Sequence, residues 1–102
     1  MVILNITSQV DSLYESKWMT WLQNKYIPKV LTFGNFTKIE VLKLIQDDLD
    51  PTFAIQHKAK SIEDINKFIT SFPSFYQNWV REEFQEKVLS FETELELISQ
   101  YP

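Results

Sequence analysis

The chain has no cysteine and a single glycine, Gly34, among its 102 residues. Without cysteine there are no disulfides, no thiol nucleophile and no thiolate metal ligands, which fits a reducing, cytoplasmic setting. One glycine rules out most backbone cradles for nucleotide phosphates, because those need several glycines in one loop. The G-x-S-x-G and H-E-x-x-H signatures are missing too. No apolar run is long enough to span a bilayer. Met1-Val2-Ile3-Leu4-Asn5 carries no basic leader, so no signal peptide is expected. Positive charge is also short: ten Lys and Arg stand against fourteen Asp and Glu, for a net charge of -4. Nucleic acid and anionic membranes attract clustered cations, and here the cations are scattered. Neither is expected as a partner.

What is present points to an ordered core. Hydrophobic residues make up 44% of the chain and aromatics 15%, too many for a disordered protein. A chain this long is expected to form one domain, residues 1–102, burying roughly 65% of its extended surface.

Val2 to Val10 alternates as a strand. Ser12-Leu13-Tyr14-Glu15 has the spacing of a capping box and predicts a helix start at Ser12. The stripe of that helix is Tyr14, Trp18, Trp21 and Leu22. Pro28 should end or kink it near Ile27, or open a further short turn through Val30 and Leu31, and Gly34 suits a left-handed cap. Residues 36–46 read as a second strand, and Asp47-Asp48-Leu49-Asp50-Pro51 as a turn. Residues 52–60 read as a third strand, paired with the second. A second helix should begin at Ser61 and break at Pro73, with a further helix restarting at Ser74. Residues 87–99 read as the last strand. The order is β-α-β-β-α-β, which predicts an α+β, ferredoxin-like fold: a four-stranded antiparallel sheet with helices on one face.

By alternation, Leu4, Ile6, Phe53, Ile55, Leu89, Phe91, Leu95 and Leu97 should face the helices. Asn5, Thr7, Gln9, Gln56, Lys58, Glu92, Glu94 and Glu96 should face the other way, with Ile3, Ala54, Leu42 and Leu44 among them. Leu42 and Leu44 favour burial of that open face against a second copy, as in dimeric α/β barrels.

Leu4-Asn5-Ile6-Thr7, Trp18-x-x-Trp21-Leu22, Ile27-Pro28-x-Val30, Gly34-x-Phe36, Ala54-Ile55-Gln56 and Leu95-Glu96 together resemble DUF4286, a bacterial family of unknown function. The resemblance spans nearly the whole chain. It implies a small ferredoxin-like, dimeric α+β domain and implies no activity. The chain departs from the family pattern at Tyr26, where the family has His, and at His57, where the family has an aromatic.

His57, the one histidine, is expected on the helix side with Phe53 and Ile55. It is a candidate acid/base group, as is Tyr26; a buried imidazole satisfied by a carbonyl is the plainer expectation. Trp18, Trp21, Tyr26, His57 and Trp79 form a weak candidate ligand pocket, set against ordinary core packing. Glu92, Glu94 and Glu96 read as a charged strand rather than a metal site. Asp47, Asp48 and Asp50 lack the glycine and closing glutamate of a Ca²⁺ loop. No metal or cofactor is expected.

The function expected is a homodimeric module that binds a small molecule or a protein. The alternatives are a cofactor-independent dimeric α/β-barrel enzyme, monooxygenase- or isomerase-like, and a structural or regulatory dimer without a ligand.

Overall fold

A computed structural model describes residues 1–46 and 49–102. The part of the expected acidic turn at residues 47 and 48 lies outside the described residues. The first strand, β1 (Val2–Val10), has the predicted bounds. Its even-numbered side, Leu4, Ile6, Ser8 and Val10, is buried under the helices.

The first helical stretch starts differently from the capping-box expectation. Asp11, not Ser12, supplies the cap: its Oδ1 accepts the Leu13 amide at 3.0 Å. A single 3₁₀ turn, Ser12–Tyr14, then leads into α1 (Glu15–Trp21). Asp one residue upstream wins because its carboxylate reaches back over the tight 3₁₀ turn.

Pro28 does not break the helix. The chain widens into a π-helical segment, Leu22–Tyr26, and continues as α2 (Ile27–Leu31) with Pro28 in its first turn. The Ile27 amide reaches five residues back to the Leu22 carbonyl. A proline ring crowds the carbonyl four residues earlier, and a wider turn is one way to make room for it.

Gly34 then turns the chain at φ +78°. An added Cβ there would meet nothing within 4 Å, so only backbone strain opposes a side chain. Gly34→Ala is therefore expected to cost about 1 kcal/mol in urea unfolding. Gly34→Asn should cost less, because Asn tolerates this region.

The second strand, β2 (Lys38–Lys43), is shorter than expected. Phe36 turns inward to the core before it, 7% exposed. Beyond Lys43 the Leu44 amide still reaches the Thr52 carbonyl of β3, and Gln46 Nε2 donates to the Thr52 hydroxyl. Next come β3 (Thr52–Ala59), α3 (Ile62–Ser71), α4 (Phe75–Phe84) and β4 (Val88–Glu96). Pro73 separates α3 from α4 as predicted, and Ser74 makes the corner at φ +53°. β4 ends at Glu96 because its partner strand starts at Val2, directly opposite.

The sheet order is β2-β3-β1-β4, with every neighbouring pair antiparallel. Each of the two strand–helix–strand crossovers skips one strand, and the helices cover one face. This is an α+β, ferredoxin-like arrangement. No described helix is long and apolar enough to cross a membrane.

The last strand corrects the expected faces. Val10 lies opposite Val88, Ser8 opposite Ser90 and Ile6 opposite Glu92. Paired residues share a face, so Val88, Ser90, Glu92 and Glu94 lie on the helix side. Val88 is buried, Ser90 bonds Ser8 Oγ at 2.8 Å, and Glu92 accepts from Gln77 of α4. Leu89, Phe91 and Leu95 instead lie on the open face, and Leu97 just beyond the strand is 44% exposed. Glu92, Glu94 and Glu96 are thus not on the open face. Alternation reveals that a strand has two unlike faces but not which one meets the helices. At an edge strand only partly covered by α4, the apolar row was free to turn away.

Candidate functional site

Two groups of residues could carry a function: a buried polar pair in the core and the uncovered face of the sheet.

The buried pair is Tyr26 and His57. The π-helical segment ends at Tyr26 and directs its ring inward, while β3 presents His57 on its helix side. Both are 0% exposed. Tyr26 Oη lies 2.8 Å from His57 Nε2. His57 Nδ1 lies 3.0 Å from the Leu4 carbonyl and 3.2 Å from the Ile55 carbonyl.

Carbonyls can only accept, so Nδ1 carries the proton of the neutral ring. Nε2 is then the acceptor, and the Tyr26 hydroxyl donates to it. Every hydrogen-bonding atom of the imidazole is satisfied. Burial drives the His57 pKa down from 6.5 to about 4, against the opposing pull of the two carbonyls. Burial also holds the Tyr26 hydroxyl well above its usual value of 10, with smaller contributions from Tyr76 and Glu92.

A neutral imidazole with a pKa near 4 is a weak base at pH 7, and a phenol above 10 is a weak acid. Ring packing closes the surroundings: Phe36 lies 5.1 Å from the His57 ring and Tyr76 lies 5.1 Å from the Tyr26 ring. Neither Tyr26 nor His57 lines the α2–α4 groove or the other main surface pockets. An acid/base role needs a substrate to reach the pair, and both residues are 0% exposed.

The three tryptophans separate. Trp18 is fully buried on Phe53, ring centroids 4.7 Å apart. Its Nε1–H donates to Tyr76 Oη at 3.2 Å, and Tyr76 joins Ser8 Oγ at 2.7 Å. Burial raises the Tyr76 pKa, while hydrogen bonds with Ser8, Trp18 and Ser90 oppose the shift. Trp21 is 4% exposed and packs edge-on to Trp79 and Phe84. Trp79 is half-buried and lines an open groove of about 640 Å³ between α2 and α4. The five proposed pocket residues therefore do not converge on one cavity. Four lie in the core, and only Trp79 reaches this groove.

The uncovered sheet face is more apolar than alternation led one to expect. Leu42 is 47% exposed, Leu44 55%, Leu89 63%, Phe91 61% and Leu95 45%. Near its centre Asn5 is 9% exposed and donates to Thr7 Oγ1 and Thr93 Oγ1. Its carbonyl Oδ1 has no hydrogen-bond partner among the described residues. Lys58 pairs with Glu40 at the β2–β3 end of the same face. The Lys58 hydrogen bond, more than any other influence, holds the Glu40 carboxyl below the usual carboxylate range. Sequence reasoning placed Leu42 and Leu44 on this face but missed Leu89, Phe91 and Leu95. The one signal that could have placed them was Val88, an apolar residue on the otherwise polar side of β4.

Residues 1–98 match the family described as "Domain of unknown function (DUF4286)", and the chain belongs to that family. No curated protein matches the sequence.

Proposed function

From membership of a family without an assigned activity, we propose that this chain acts as a homodimeric binding module, two copies meeting through their open sheet faces. The observation that carries this reading is the phase of β4, which adds Leu89, Phe91 and Leu95 to Leu42 and Leu44 on one uncovered surface. The apolar residues flank the face on its two edge strands, with Thr7, Ala54, Asn5 and Gln56 between them, and several large apolar side chains exposed on one surface of a small protein mark an interaction site.

The size supports a second copy as the occupant. Four strands at ~4.8 Å spacing and ~30 Å length give a face of roughly 570 Å² in projection. Side-chain relief brings that close to the ~800 Å² per partner of a standard interface. A two-fold pairing uses the same face on both copies, so this surface alone suffices.

Phe91→Glu tests the reading. A charge placed in the apolar row of β4 is expected to weaken dimerisation ~100-fold or more, by the scale of interface hot spots. At micromolar concentration the variant should run as a monomer in light scattering with an unchanged far-ultraviolet circular dichroism spectrum. Leu13→Glu is the control: Leu13 is 86% exposed and lies in the 3₁₀ turn, off this face. A Phe91→Glu protein that stays dimeric would overturn the interface.

A further inference from the structure

We infer that the groove between α2 and α4 binds an organic monoanion with a flat, aromatic or similarly apolar body. This rests on reading the chain as a binding module and names the class of ligand. The groove holds about 640 Å³, within the ~300–1,000 Å³ typical of small-molecule sites.

Its apolar side is built from Phe72, Phe75 and Trp79. The rings stand edge to face, Phe72 to Phe75 at 5.8 Å and Phe75 to Trp79 at 5.6 Å. Trp79 is braced from behind by Trp21 at 5.4 Å. The corner at Pro73 and Ser74 brings Phe72, at the end of α3, beside Phe75, the first residue of α4. All three aromatics remain half-buried rather than closed into the core. A flat apolar body laid along them covers surface that the fold itself leaves open.

The charge around these rings selects the head group. Lys29 from α2 and Arg81 from α4 border the groove, with Glu82 the one acidic residue in its lining. Among the described residues neither cation takes part in an ion pair. Lys29 Nζ instead sits 5.9 Å over the Phe33 ring. The lining thus carries a net charge of +1, two cations less one carboxylate, on a chain of net charge -4. A carboxylate or sulfonate fits the planar fork of Arg81, with Lys29 as a second point charge. Glu82 disfavours a polyanion. The groove lies on the helix side, opposite the proposed dimer face, so a dimer leaves it open.

The test uses 1-naphthylacetate as the probe and 1-naphthylacetamide as its uncharged match. Binding is followed by tryptophan fluorescence and located by amide chemical shifts. Naphthylacetate should bind with Kd on the order of 1 mM or tighter, with shifts centred on Phe75, Trp79 and Arg81. The acetamide should bind ~5-fold more weakly or worse, and Arg81→Gln and Lys29→Gln should each lower naphthylacetate affinity by a similar factor. Both side chains are exposed, so the variants keep the fold. Absence of saturable binding, equal binding of the acetamide, indifference to both substitutions, or shifts centred elsewhere would each overturn the inference. Mass measured on the same samples separates the two readings. Lost binding by an intact dimer counts against the groove alone, and a monomer that binds counts against the sheet interface alone.

Discussion

Lowering the pH from 7 to 4.5 is expected to remove about 2–3 kcal/mol of folding stability through His57 alone. The unfolded chain takes up the imidazole proton near 6.5, whereas the folded chain resists it until about 4. Between those values the unfolded state holds more protons, so stability falls as the pH falls through the window. Above about 6.5 both states are neutral there and the contribution is level. The cause is structural: a charged ring would sit fully buried, with Nε2 facing a Tyr26 hydroxyl that already donates to it.

His57→Phe is expected to flatten this part of the profile. It should also lower stability at pH 7 by about 1–3 kcal/mol, because the Tyr26 hydroxyl loses its acceptor, and this deficit should shrink toward pH 4.5, where only the histidine protein carries the protonation penalty. Urea unfolding at a series of pH values, at one fixed protein concentration, reads both effects. A slope between pH 6.5 and 4.5 that survives the substitution unchanged would contradict the assignment.

Trp18→Ala is expected to be the most damaging single change outside the backbone, at about 3–5 kcal/mol. The side chain is fully buried and stacks on Phe53 of β3. Its Nε1–H also starts the chain of hydrogen bonds through Tyr76 and Ser8 to Ser90. That chain links α1, α4, β1 and β4, so the substitution opens a cavity where four elements meet. A domain of this size has only ~5–15 kcal/mol in total. The variant should show a shallow, early urea transition or none at room temperature. Trp18→Phe keeps most of the packing and loses the N–H, so it should cost clearly less. Equal losses for the two variants would place the importance of Trp18 in its hydrogen bond rather than its bulk.

Much of the fold could be read directly from the residues. The bounds of β1 and the break at Pro73 follow from alternation and from proline's missing donor, both of which act locally. The family resemblance rested on motifs spread from Leu4 to Glu96, strongest between Trp18 and Phe36, and the match over residues 1–98 bears it out. Features set by pairing across the chain were harder to see. The phase of β4 depends on Val88 meeting Val10 and Ser90 meeting Ser8, contacts about 80 residues apart in sequence. The π-helical turn before Pro28 keeps a helical pattern of side chains, so periodicity could not distinguish it from a break. Tyr26 and His57 were each singled out, but their hydrogen bond spans 31 residues and needed the sheet to bring β3 under the helix. That bond changed their meaning. The two candidate groups form one buried, hydrogen-bonded pair in the core.

The function proposed here lies at the surfaces, and first at the open sheet. Sedimentation equilibrium of the unmodified protein at about 10 µM, a concentration at which a standard-size interface is populated, tests this most directly. The expected result is a species of twice the 12.2 kDa chain mass, dissociating only on strong dilution. A single species at 12.2 kDa would contradict the homodimer and leave Leu89, Phe91 and Leu95 exposed in the isolated chain.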